Sequence, residues 1–365
     1  MDLKFIKVNM AEIKMAFASI DKVQQILVPE LKEVKVTGSQ MVGYGTDNHY
    51  PDYLYGLYTD VTSLKTVVEG TADYVCGNDI TSIHKLNNKN ETWREFVFNL
   101  ARDFLLYGGY AFEVIRTKDL SQVAELHYID FRDIRSDEEN EVFYYNPDFK
   151  KKYVKTSKTI VFERFKEDLR QAKSIVYYKN NHSTVYPIPR YSGALKCCEI
   201  ERGIDTMHLA GIENGFYGSY IVNINSGIPD DEEKKQLEKD FNEKFCGAGN
   251  AGRFVLNFSN GKDNQATLQK LDVVDFSDKY KAAATRSREQ IYASFRAIPA
   301  LFGVMTETTG FNEQEFSEAF KLYNRTVVKP IQIVITDEIN KVYNEQGVIN
   351  IVPFSLEYNN EQTVE

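Results

Sequence analysis

Residues 103–116, DFLLYGGYAFEVIR, change periodicity in mid-stretch. Up to Tyr107 they complete a helix over 91–107. Its Trp93, Phe96, Val97, Leu100, Ala101, Phe104 and Leu105 make one continuous apolar face. Gly108-Gly109 stops that helix. YAFEVIR (110–116) follows with the aromatic and β-branched composition of a strand. A helix that passes through two glycines into a strand predicts a mixed α+β core.

Upstream, Leu64, Val67, Val68, Ala72 and Val75 recur at helical spacing over 60–76, with Asp60 as a cap and Gly77 as a stop. Residues 40–58, QMVGYGTDNHYPDYLYGLY, read as an extended, turn-rich arm from their Gly and Pro punctuation. Downstream, AELHYI, EVFYYN, TIVFERF and SIVYYKN are short strand-like runs between 120 and 190. The run Lys150-Lys151-Lys152 reads as a solvated hairpin or loop, and Pro187 and Pro189 close the region.

Helices resume at 192–216. Leu195, Cys198, Ile200, Ile204, Met207, Leu209, Ile212 and Phe216 cover more than half its circumference, the pattern of a helix packed on several neighbours. Residues 230–245 are the reverse case, with only Leu237, Phe241 and Phe245 apolar. Asp231→Lys235 and Asp240→Lys244 add i,i+4 pairs worth about 0.2–0.5 kcal/mol each. The strand RFVLNF (253–258) follows. A basic helix spans 277–296, and VMTETTGF (304–311) is a short polar loop. A last long helix starts at Asn312 with a capping box to Glu315, is kinked by Pro330 and ends near Tyr343. VINIVPF reads as a final short strand.

The 365 residues carry a formal net charge of −9, too few cations for the whole chain to grip nucleic acid through its phosphates. The 23 Tyr and 23 Phe suit large half-buried contact areas. Cys76, Cys197, Cys198 and Cys246 lack zinc spacing, and the five histidines are scattered, so no metal site is assigned. The opening residues contain neither a signal peptide nor a membrane span.

GAGNAG (247–252) matches G-x-G-x-x-G through Gly247, Gly249 and Gly252. A dinucleotide site needs strand, glycine turn, then helix, so that free N–H groups face the phosphates. Here the order is helix, glycines, strand, and the helix offers its negative end. Gly247 fits a C-cap better. Asp230, Asp231, Glu232 and Glu233 fit a helix start. Asp130 and Asp133 have neither a metal partner nor a base beside them in sequence. No nucleophile elbow or phosphate loop occurs. No catalytic residue or cofactor is therefore assigned, and an enzyme is not expected. A nucleotide-binding enzyme using Gly247–Gly252 and a DNA-binding module using helix 277–296 are the alternatives.

In order and spacing, these stretches resemble the portal proteins of tailed bacteriophages. The likeness is closest to the long-tailed-phage portal family and its relatives in phages and prophages of Bacteroidetes. NHYPDYLYGLY, DFLLYGGYAFEVIR, YPIPRYSGALKCCEIERGID (186–205), IPDDEEKKQLEKDFNEKFCGAGNAGRFVLNF (228–258), SREQIYASFRAIPALFGV (287–304) and EFSEAFKLYNRTVVKPIQ (315–332) carry it. The resemblance implies an α+β portal fold. A wing takes residues 1–190, with an N-terminal arm over 1–58. Stem helices take 191–217 and 273–299, around a clip at 218–272. A tunnel-loop region spans 300–313, a kinked helix spans 314–343 and returns to the wing, and a short tail takes 344–365, with little or no crown.

The resemblance also implies a ring of identical subunits, typically twelve, at the capsid vertex of a virion assembled in the bacterial cytoplasm. Double-stranded DNA would pass through it without sequence specificity during packaging and ejection. Expected partners are the large terminase, a head–tail connector or adaptor, and the major capsid and scaffold proteins. Val304, Met305, Thr306, Glu307, Thr308, Thr309, Gly310 and Phe311 would face the channel. Asp230, Asp231, Glu232, Gly247, Gly249 and Gly252 would contact terminase and connector. Glu201, Arg202, Lys279, Lys281, Arg286 and Arg288 would belong to the stem.

Overall fold

A computed structural model describes residues 33–35, 40–150, 158–168, 171–213, 220–224, 232, 254–258, 267–270, 277–304 and 313–354. Its first helices are α1 (Tyr50–Asp60), α2 (Thr62–Cys76) and α3 (Trp93–Tyr107). α3 opens on a reciprocal capping box. The Thr92 hydroxyl accepts the Glu95 N–H, and the Glu95 carboxylate accepts the Thr92 N–H. It closes on Gly108 at φ 88°, where a Cβ would lie 2.6 Å from the Ile188 carbonyl oxygen, so this turn requires glycine.

Strand β4 (Gly109–Arg116) begins at once and forms the centre of an antiparallel sheet between β5 (Val123–Ile129) and β9 (Lys173–Lys179). A second sheet runs β1-β2-β6-β7-β8, from β1 (Glu33–Lys35) and β2 (Val42–Tyr44) through β6 (Ile134–Ser136) and β7 (Val142–Tyr145) to β8 (Ile160–Glu163). Near the chain's end, β13 (Asn350–Val352) pairs with β3 (Asp79–Thr81). The strand-rich reading of 120–190 and the final short strand are thus both observed.

Residues 40–49 are extended and turn-rich as read, with strand β2 and a turn at 45–48, but 50–58 are not extended. Tyr50, Leu54, Leu57 and Tyr58 lie one and two turns apart and are buried, and Pro51 sits in the first turn, where its missing N–H costs nothing. The segment from Tyr50 therefore winds into α1. Asp60 ends α1 instead of capping α2, and the buried Val61 takes the N-cap position.

Helix α4 (Leu195–Glu213) packs against α5 (Ser277–Ser294). Between them in sequence lie β10 (Tyr220–Ile224), β11 (Phe254–Phe258) and β12 (Thr267–Lys270), in the order β11-β10-β12. β10 and β11 are parallel, which requires a crossover of a dozen or more residues, and 225–253 supply its length. The helix read at 230–245 falls in this interval, outside the described residues except for the helical, exposed Glu232.

The last helix is observed as α6 (Glu313–Tyr323) and α7 (Lys329–Tyr343), joined by a π-helical turn at Asn324–Val328. The Lys329 N–H bonds the Asn324 carbonyl, five residues back. The wider turn makes room for the Pro330 ring, which would otherwise meet the carbonyl four residues earlier. Asn312, read as the cap, lies outside the described residues. Ile331, Ile335 and Ile339 of α7 are fully buried. Tyr110 Oη and Gln332 Nε2 donate to the Val334 and Val75 carbonyls, tying α7 to β4 and α2.

Candidate functional site

Apart from the exposed Glu232, the residues singled out in sequence fall into three groups. Asp230, Asp231, Gly247, Gly249, Gly252 and Met305 to Phe311 lie outside the described residues. Lys281, Arg286 and Arg288 are exposed along α5, and Lys279 is in its first turn. Glu201 and Arg202 lie in the buried part of α4, Val304 follows a 3-10 turn at Pro299–Phe302, and their surroundings can be followed atom by atom.

The α4–α5 pair is buried at its root and open at its far end. Leu195, Cys198 and Ile204 of α4 and Ile291 and Tyr292 of α5 are buried, as is Phe295 just beyond. Toward the other end, Met207 and Leu209 are exposed. At the root, Glu201 is buried, and its Oε1 accepts both the Ser63 N–H at 3.1 Å and the Ser63 hydroxyl at 2.8 Å. Ser63 lies in the first turn of α2, whose own N-cap, Val61, has no side-chain acceptor. A carboxylate borrowed from α4 therefore meets the positive end of α2. One residue on, Arg202 pairs with Glu199 at 2.7 Å and with Asp60 at 3.7 Å. Burial pushes the Cys198 thiol up to about 12, so it stays protonated in the packed root.

A second junction holds the chain on either side of residues 305–312. After α5, Arg296 adopts φ 54°, and Pro299–Phe302 make a 3-10 turn that ends on Gly303 at φ 75°. The Val304 N–H bonds the Pro299 carbonyl at 3.1 Å, and the half-buried Val304 packs on the core. The Phe302 ring stands edge-on to Tyr74, Tyr292 and Tyr323. Tyr74 Oη donates to the Leu301 carbonyl at 2.7 Å, and Tyr323 on α6 shares a 2.7 Å hydroxyl bond with the buried Thr71. Both flanks are thus fastened to the same face of α2, whose Gly70 lets the Phe302 ring approach. Burial raises the Tyr74 and Tyr323 hydroxyls, which remain neutral hydrogen-bonding groups.

Among the described residues, no cluster of three His, Cys, Asp or Glu could hold a metal, and no helix is long and apolar enough to cross a membrane. What the geometry provides is mechanical: a helix pair fixed at one end, and a segment fixed at both.

A family model described as phage portal protein matches residues 77–358. The chain belongs to the phage portal protein family. A comparison with curated protein sequences finds no match. Among solved structures, the portal chain is similar to one in the virion of a native gene transfer agent particle. That likeness has 16% identity and a TM-score of 0.52, over 82% of this chain and 83% of that one. A chain in the neck of the native particle, computed with C12 symmetry, matches with 16% identity and a TM-score of 0.52, over 90% and 87%. A portal protein of the HK97 family from Corynebacterium diphtheriae aligns at 9% identity, over 82% and 94%, with a TM-score of 0.47. The two gene transfer agent likenesses place the portal chain in a common mixed fold.

Sequence reasoning missed the portal chain's fastening residues: Ser63, Gly70, Thr71 and Tyr74. One signal was present. Gly70-Thr71 interrupts an otherwise strong helical pattern in α2, and a mid-helix glycine usually marks a close neighbour.

Proposed function

We propose that this chain is one subunit of a closed head-to-tail ring, set at the capsid vertex of a virion, that conducts double-stranded DNA. The portal-family match over residues 77–358 carries the reading. A similar chain in a gene transfer agent neck computed with C12 symmetry supports twelve subunits. Residues 218–272 serve as the clip that docks the large terminase and later a head–tail connector. The major capsid and scaffold proteins are further partners.

The channel segment is residues 304–311, which carry Glu307 and hydroxyls but no Lys or Arg. A conduit must not hold what it passes. Acidic and neutral groups displace no counterions from the phosphates, so no tight state forms. The net charge of −9 suits a conduit better than a DNA-gripping protein. The role is structural, without catalysis or cofactor. Electron microscopy of the purified protein tests the reading: end-on views should show closed rings with a central opening. A strict monomer at high concentration, under capsid-assembly conditions, would overturn it.

A further inference from the structure

A cleft opens where the β5-β4-β9 sheet meets the five-stranded sheet. Ile115 on β4 and Ile129 on β5 form one wall. Tyr145 on β7 with Ile160 and Phe162 on β8 form the other, around a volume of about 420 Å³. That lies within the roughly 300–1,000 Å³ of clefts that hold a ligand. Ile115, Tyr145 and Phe162 are half-buried, and Ile160 is 52% exposed. Apolar walls of this extent, open to solvent, mark a contact surface.

The register of the five-stranded sheet fixes where the chain enters it. Glu33 pairs with Tyr44, and Tyr44 is level with Ile134 because Val42 pairs with Ser136. Ile134 pairs with Tyr145, and Tyr145 with Ile160. Glu33 and the cleft wall therefore lie at the same end of the sheet, four strand spacings or about 19 Å apart. The sequence ahead of Glu33 joins the sheet at that end, and it carries a regular apolar pattern. Leu3, Ile6, Met10, Ile13, Phe17 and Ile20 recur at spacings of three and four, which would place all six on one side of a helix. Eighteen residues of helix measure about 27 Å. The twelve residues from 21 to 32 span up to about 40 Å, so the stripe reaches the cleft with chain to spare.

We propose that residues 3–20 dock on their own subunit, with the apolar stripe seated in the cleft between β4-β5 and β7-β8. Position selects this occupant: the segment enters at the cleft's end of the sheet and brings an apolar face to apolar walls. Docking of this kind does not depend on the ring reading above.

Two experiments on the full chain test this, both with Cys197→Ser and Cys246→Ser, which leave only the buried Cys76 and Cys198. In the first, the thiol introduced by Ile160→Cys should react slowly with a maleimide. Adding Ile6→Asp and Ile13→Asp should speed that reaction at least tenfold. An unchanged rate would overturn the proposal. In the second, Ile6→Cys, Ile13→Cys and Ile20→Cys are each combined with Ile160→Cys and treated with a short bis-maleimide. At least one pair should cross-link within a single chain. No cross-link in any pair would overturn the proposal, even if the aspartate variants fail to fold. So would links that form only between chains, seen when subunits carrying Ile160→Cys are mixed with subunits carrying one of the other three changes.

Discussion

Gly70 lies in the middle of α2, where alanine ordinarily favours a helix by about 1 kcal/mol. Here a Cβ would meet two Phe302 ring atoms at 2.8 and 2.9 Å. The ring is half-buried and stands edge-on to Tyr74, Tyr292 and Tyr323, which limit how far it can shift. Overpacking of this kind costs roughly 1–3 kcal/mol, more than the propensity gain. Gly70→Ala should therefore lower the melting midpoint, and adding Phe302→Leu should restore part of it. An unchanged midpoint would show that the ring yields. Asp103 offers a second test at the same scale. Its carboxylate is buried between Arg102 at 3.2 Å and the Tyr128 hydroxyl at 2.8 Å, with Asp130 close by. Burial outweighs the Arg102 attraction and pushes Asp103 up to about 7. The folded state then holds a proton that the unfolded chain has released. Its contribution to stability is present at pH 4 and fades as pH rises toward 7. Asp103→Asn should remove that slope, so chemical denaturation should favour the variant more at pH 8 than at pH 5. A pH-independent difference would refute the assignment.

Among the elements, α2 depends on a residue from outside itself. Glu201→Ala would leave the N-terminus of α2 without an acceptor, at a cost of about 1–2 kcal/mol. Glu201→Gln keeps an oxygen for Ser63 and should cost less. Amide exchange at Ser63 checks this, since it should quicken sharply in the alanine variant and only slightly in the glutamine variant. The join between α6 and α7 follows from one residue. Pro330→Ala removes the reason for the wide turn, so Asn324–Val328 should relax toward a regular α-helix, visible as a change in the amide-exchange pattern of those residues. Retention of the slow exchange pattern would show that the buried Val327 and Val328 hold the π-turn instead. These elements also show what a sequence reveals. α3, β4 and α7 carry strong periodicity and plain stop signals, so their bounds were legible. α1 was not, because Pro51 and Gly56 punctuate it like a turn, as Gly45 does the residues before it, while its buried tyrosines decide for a helix. The Glu201–Ser63 cap joins residues 138 apart, and no local pattern announces such a partner.

At the scale of the whole molecule, the exposed Met207 and Leu209 mark the open end of the α4–α5 pair, and Val304 and Glu313 bound the proposed channel segment. Fastening both flanks of that segment to α2 fixes where it starts and ends, whatever passes beside it. If residues 304–311 line a DNA channel, charge there acts once per subunit, and a ring multiplies it. Glu307→Lys replaces a repelling group with a phosphate-binding one in every subunit. Each lysine that engages a phosphate displaces a counterion and strengthens holding in a salt-dependent way. The variant should assemble rings as well as wild type, because Glu307 lies between fastened flanks and outside the helix roots. It should bind DNA with an affinity that falls steeply from about 50 to 200 mM salt, where wild type shows little binding at all. Packaging or ejection should slow accordingly. Normal transit through Glu307→Lys rings would remove this residue from the channel wall, and failure of ring assembly would instead assign it to a subunit contact.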